Sequence, residues 1–195
     1  MADTLFERYR KKATAAGIQL QTNNSREWFR DKLSNLRDIN RRTLLKDPAL
    51  SKKNRLYPGR MYMYFYDPKT KDQLPYYDRF PLVVMVEPAK DGFYGINLHY
   101  LPPALRAKML GALMDITNND KYDQTTKFKL TYGLLTSSAK LKWFKPCFKK
   151  YLYEHIDTIP ALVGPEEWEV AVFLPTEMFK KEKKNKVWRD SRKMI

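Results

Sequence analysis

The chain has 195 residues, 43% hydrophobic and 14% aromatic, which is enough for one compact domain and excludes a disordered chain. Its 37 Lys+Arg against 22 Asp+Glu give a formal charge of +15, a balance suited to phosphate, anionic lipid or acidic protein surfaces. The longest apolar run, Leu82–Val86, is far short of the roughly 20 residues a bilayer-spanning helix needs, and the N-terminal residues carry no secretory leader pattern. One cysteine, Cys147, permits no internal disulfide, and with only His99 and His155 a zinc site of Cys and His alone is excluded. Seven glycines spell no phosphate-binding loop, so no cofactor, resident metal or small-molecule substrate is expected.

Charge is unevenly spread. Residues 1–57 hold 14 basic and 6 acidic residues (+8), 58–103 hold 5 and 5, 104–156 hold 10 and 4 (+6), and 157–195 hold 8 and 7 (+1). The pattern predicts a neutral β module decorated with basic helical pieces. The first segment, residues 1–56, reads as a basic helical extension: a short helix from Thr4 to Ala16 closed by Gly17, then a longer one from Ser25 to Lys46. Trp28, Phe29, Leu33, Leu36, Ile39 and Leu44 fall near one face of the second helix, while Arg26, Arg30, Arg37, Arg41 and Arg42 occupy much of the rest.

An α+β core is expected over residues 57–195. Residues 60–66 form a β-rich run stopped by Asp67-Pro68, with large side chains on both faces. Strands follow at 81–87 and 93–101, joined by the turn signal Lys90-Asp91-Gly92, and Gly95 suggests a bulge. Residues 103–156 read as a helical insertion, with Pro103 opening a helix that Leu105, Met109, Leu110, Leu113 and Met114 place against the core. A second helix covers Thr126–Thr136, and a third, from Pro146, puts Phe148, Leu152 and Ile156 on one side. Alternation of Trp168, Val170, Val172 and Leu174 predicts a fourth strand over 168–174, ahead of a basic tail, 176–195. Four such strands would make a small SH3-like β-barrel or a curled antiparallel sheet.

The runs Tyr57-Pro58-Gly59-Arg60-Met61-Tyr62-Met63-Tyr64-Phe65-Tyr66-Asp67-Pro68, Leu74-Pro75-Tyr76-Tyr77-Asp78-Arg79-Phe80 and Gly92-Phe93-Tyr94-Gly95-Ile96-Asn97-Leu98-His99-Tyr100-Leu101 resemble virion-associated proteins of large T4-like tailed bacteriophages. Residues 167–192 are similar to the same group. The resemblance implies a non-enzymatic virion structural or assembly protein, in tail, baseplate or neck, assembled in the host cytoplasm and bound to other virion proteins in a symmetric assembly. Tyr62, Tyr64, Tyr66, Tyr76, Tyr77 and Trp188 would form its aromatic partner-binding surface. The alternative is a nucleic-acid-binding protein of replication, packaging or DNA-end protection. Arg26, Arg30, Arg37, Arg41, Lys142, Lys145, Lys149 and Lys150 would then contact phosphates. Against base stacking, the tyrosines lie in the segment of zero net charge. A third reading, a metal-dependent nuclease using Asp67, Asp72, Asp78, Glu87 and Lys90, lacks the spacing that would bring a carboxylate and a lysine together.

Overall fold

A computed structural model describes residues 3–37, 39–141 and 145–193. The chain forms helices α1 (Leu5–Ala15), α2 (Asn23–Leu33) and α3 (Arg41–Lys46), then strands β1 (Ser51–Lys52), β2 (Met61–Met63), β3 (Tyr77–Asp78), β4 (Leu82–Ala89) and β5 (Gly92–Asn97). Helices α4 (Pro103–Thr117) and α5 (Gln124–Lys140) follow, then β6 (Phe148–Leu152), β7 (Ala161–Val163), α6 (Trp168–Phe173), β8 (Phe179–Lys180) and α7 (Lys184–Lys193). The fold is α+β, as expected. Its main sheet is antiparallel in the order β1-β7-β2-β4-β5-β6, and β3 pairs with β8 in a separate two-stranded ribbon. The end strands β1 and β6 do not meet, so the sheet is curled but open and closes no barrel. Among the described residues no helix is long and apolar enough to cross a membrane.

Local chemistry sets the helix ends. Thr4 caps α1 by accepting from the Glu7 amide at 3.0 Å, and Gly17, at a φ of 75°, lets the chain reverse with Ile18 N donating to Ala13 O. Thr22, not Ser25, is the cap of α2; Ser25 is its partner in a reciprocal capping box. The long helix expected to Lys46 stops at Leu33, where Ser34 and Asn35 form a turn, and Asn40 caps the separate α3. Phe6, Phe29, Leu33 and Leu44 nonetheless sit in the core that also holds Leu110, Leu113, Val170 and Phe173.

Two further elements differ from expectation. Residues 168–173 of the expected strand are helical: Pro165 and Glu166 open a short 3₁₀ turn, and the Glu167 carboxylate returns to the Gly164 amide at 3.0 Å before α6 begins. All six residues of α6 are buried, so its period cannot be read from polarity. The misleading polar residue, Glu169, is buried because it accepts from Gln21 N at 2.8 Å and Ser25 Oγ at 2.6 Å. The supposed third helix of the insertion is β6, paired with β5 from Gly92↔Leu152 to Ile96↔Phe148. Strand β5 ends at Asn97, whose side chain accepts from His99 N and starts a 3₁₀ turn. A Cβ on Gly95 would come within 2.3 Å of Val83 Cγ1, and the bulge lies on the opposite strand, between Met85 and Glu87.

A buried polar knot joins the sheet to the C-terminal segment. Asp78 Oδ2 lies 2.6 Å from His99 Nδ1 and accepts from Asn97 Nδ2 at 3.2 Å; Oδ1 accepts from the amides of Phe80 and Met178 at 3.1 and 3.0 Å. Burial alone would raise this carboxyl, yet His99 and the two amides hold it below the ordinary carboxylate value. Beside it, Arg106 is 1% exposed and donates to the carbonyls of Leu101, Val172 and His99. Because the folded-state pKa of Asp78 is depressed, its contribution to stability is present above about pH 4 and is lost as pH falls through the folded value. Asp78→Asn is therefore expected to lower stability by about 2 kcal/mol at pH 7, with the gap to wild type closing towards pH 2 in urea unfolding.

Candidate nucleic-acid interface

The sheet has two covered faces. One packs on the helices. On the other, Tyr62, Tyr64 and Tyr66 are 1%, 0% and 6% exposed and form a second core with Val83, Met85, Phe93 and Tyr151. Tyr64 meets Tyr151 edge-on at 5.8 Å, and Tyr66 meets Tyr151 at 4.9 Å. Tyr62 and Tyr64 are interior packing and form no partner-binding surface, while Tyr66, almost as buried, also lines a neighbouring cavity. Trp188, half-buried on α7, donates from Nε1 to His99 O at 2.9 Å and lies beside the Arg106 guanidinium, so it docks its own helix. Tyr76 and Tyr77 are half-buried and remain at the surface.

The predicted basic residues do not form one patch. Arg26 donates to Asn23 Oδ1 and packs near Met114, between α2 and α4. Arg30 is paired with Asp31 at 3.2 Å, and Lys150 with Asp91 at 2.7 Å. Arg41 is structural: its guanidinium donates to the carbonyls of Thr176 and Glu177 at 2.8 Å each and of Ile39 at 3.4 Å. Arg37 and Lys145 are exposed and separate, while Lys149 is half-buried in β6. Lys142 lies outside the described residues.

One group of cations brought together by the fold is not apparent from sequence order. Two adjoining depressions of about 580 and 490 Å³ share Arg42, Phe65 and Arg79. Arg41 and Lys180 line one, Lys46 and Lys52 the other, and Asp157 is the one carboxylate among these linings. Helix α3 supplies the first cations, the edge strand β1 Lys52, and the ribbon Lys180. Arg79 Nη2 pairs with Asp157 at 2.5 Å, whereas its Nη1 is buried with no acceptor among the described residues. Guanidinium and ammonium heads gathered in this way pair well with phosphate oxygens. Segment-wise counting missed the groove because its residues come from four separate stretches of chain, one inside the neutral segment.

Groups with catalytic potential are committed elsewhere. Asp78 and His99 are sealed in the polar knot, and His99 Nε2 faces Thr176 Oγ1 at 3.2 Å. Burial pushes the Cys147 thiol up to about 12, which keeps it protonated and inert. Asp67 is paired with Lys71 at 2.8 Å, Glu87 faces the Tyr132 hydroxyl at 3.4 Å, and Asp72 and Lys90 are exposed. No group of three metal-ligating side chains converges among the described residues.

In comparison with known proteins, residues 2–191 fit the model of the family described as phage T4 terminal DNA protecting protein. No curated protein and no solved structure matches the chain. The family match overturns the tail, baseplate or neck role expected from the resemblance, and agrees instead with the DNA-end alternative.

Two kinds of cation are thus distinguished, and unfolding separates them. Arg41→Ala is expected to cost about 2 kcal/mol through its lost carbonyl partners. Lys46→Ala and Lys52→Ala should each stay within about 0.5 kcal/mol of wild type in the same urea titration.

Proposed function

The chain belongs to the phage T4 terminal DNA protecting protein family, and from that premise we propose that it binds the ends of linear duplex DNA and shields them without catalysing a reaction. The match over residues 2–191 carries this reading. The groove of Arg42, Lys46, Lys52, Arg79 and Lys180 supports it by supplying a phosphate-binding surface built on rigid elements. Protection needs occupancy, not chemistry: a backbone held in the groove keeps a nuclease from the terminal phosphodiesters. The buried state of Asp78, His99 and Cys147 supports a non-enzymatic role.

As a phage protein guarding an end, it would enter the particle with the DNA it covers, after assembly in the host cytoplasm. Neighbouring virion proteins would then lie within reach. The exposed Phe128 and Tyr132 rings, stacked at 6.4 Å on α5, offer an apolar contact for one of them.

Binding through phosphates predicts a linear fall of log affinity with log salt, with a slope of about −0.9 per phosphate neutralised on duplex DNA. The triple variant Lys46→Glu/Lys52→Glu/Lys180→Glu should flatten that slope and lose protection of linear DNA against an exonuclease, while retaining the wild-type unfolding midpoint. Failure of the wild type to shift linear duplex at low salt would overturn the proposal.

A further inference from the structure

Across the β3–β8 ribbon from the basic groove lies a second cavity, of about 400 Å³, that the groove does not use. Pro68, Lys69, Thr70 and Leu74 line it together with Tyr66 and Tyr151 of the aromatic face of the sheet. Its walls include Tyr66, Tyr76, Tyr77, Tyr100 and Tyr151, with Lys149 reaching in from β6. The volume is in the range of a small-ligand site. Tyr76 and Tyr100 rings are tilted at 37° with centroids 6.1 Å apart, and the Lys149 ammonium sits 4.4 Å from the Tyr100 centroid.

Electrostatics at the cavity favour an anion. Asp78, on the floor, already has both oxygens engaged by His99, Asn97 and two amides, and Asp91, at the rim, is paired with Lys150. Lys149 makes no salt bridge among the described residues, and Lys69 adds a second cation at the opening. Burial lowers the Lys149 pKa below its ordinary value, a cost that a phosphate placed beside it would offset. Aromatic walls with a cation at their side are the combination by which proteins stack a base and hold its phosphate.

We propose that this pocket takes an unstacked terminal nucleotide of a DNA strand, its base against Tyr76, Tyr77 and Tyr100 and its phosphate against Lys149. The proposal rests on DNA-end binding and adds to it the means by which an end is told from the interior of a duplex. An internal base is paired and stacked, and drawing it into a concave site costs several kcal/mol; a frayed or overhanging base is already free. Because every base has a π-face, the pocket accepts any of the four. The outer wall is fixed by Lys181, whose left-handed backbone (φ 69°) aims its ammonium at the carbonyls of Lys71, Asp72 and Leu74, at 2.6, 3.1 and 2.8 Å.

The test uses the full-length protein and three DNAs of equal length: one with a 3′ overhang, one with a 5′ overhang, each carrying 2-aminopurine at the terminal position, and one closed by hairpins at both ends. Wild type should prefer an overhung DNA to the closed one about tenfold or more and change the 2-aminopurine fluorescence. Lys149→Gln and Tyr77→Ala should each bring that preference close to one and abolish the fluorescence change, with affinity for the closed DNA unaltered. Two variants guard against a single misfolded protein, and far-UV circular dichroism identifies the one that is folded. Folded variants that keep the end preference overturn the pocket while leaving end binding intact. A wild type that binds none of the three DNAs, or that binds open and closed DNA equally, overturns both readings.

Discussion

One buried carboxylate organises the surfaces that matter. Asp78 is reached by amides from Phe80 and Met178 and by side chains from Asn97 and His99, so a single group joins the ribbon, the end of β5 and the segment leading into β8. A carboxylate taken from water is tolerated only when its lone pairs are filled this completely. Its neighbour Arg106 is held the same way, by three carbonyls and by Glu177 at 3.8 Å. Together they fix the β3–β8 ribbon, which is the partition between the basic groove on one side and the aromatic pocket on the other.

Much of the fold was legible where local chemistry and burial agree. Pro103 and the apolar spacing of Leu105 to Met114 located α4, and Lys90-Asp91-Gly92 located the β4–β5 turn. Legibility failed where polarity was answered by a distant partner. Glu169 looked like the outward residue of a strand because Ser25 and Gln21, nearly 150 positions away, could not be seen beside it. Phe148, Leu152 and Ile156 imitated a helix stripe, although Phe148 and Leu152 lie on a strand whose edge position a single sequence does not reveal.

The site was legible in kind more than in place. A basic protein rich in tyrosine suggested stacking on a charged sheet, and the neutrality of residues 58–103 argued against it. Strand β6 removes that objection: it carries Lys149 and Lys150 from the basic segment onto the edge of the aromatic sheet. Arg41 shows the converse. A cation conspicuous in sequence is absorbed by backbone carbonyls, while Arg79, isolated in a neutral stretch, lines the groove beside Arg42.

The order of the sheet carries a consequence in time. Strand β7, residues 161–163, inserts between β1 and β2, some hundred positions earlier, and the groove needs Arg42 from the first quarter of the chain together with Lys180 near its end. Pairing over such sequence separations is slow to form, because the loop-closure entropy is lost before the contacts that offset it are made. During synthesis the N-terminal arginines emerge long before the strand that completes their sheet, so the nascent chain carries the charge without the shape. The shaped groove is thus a property of the finished molecule, absent until residues near the C-terminal end of the chain are in place.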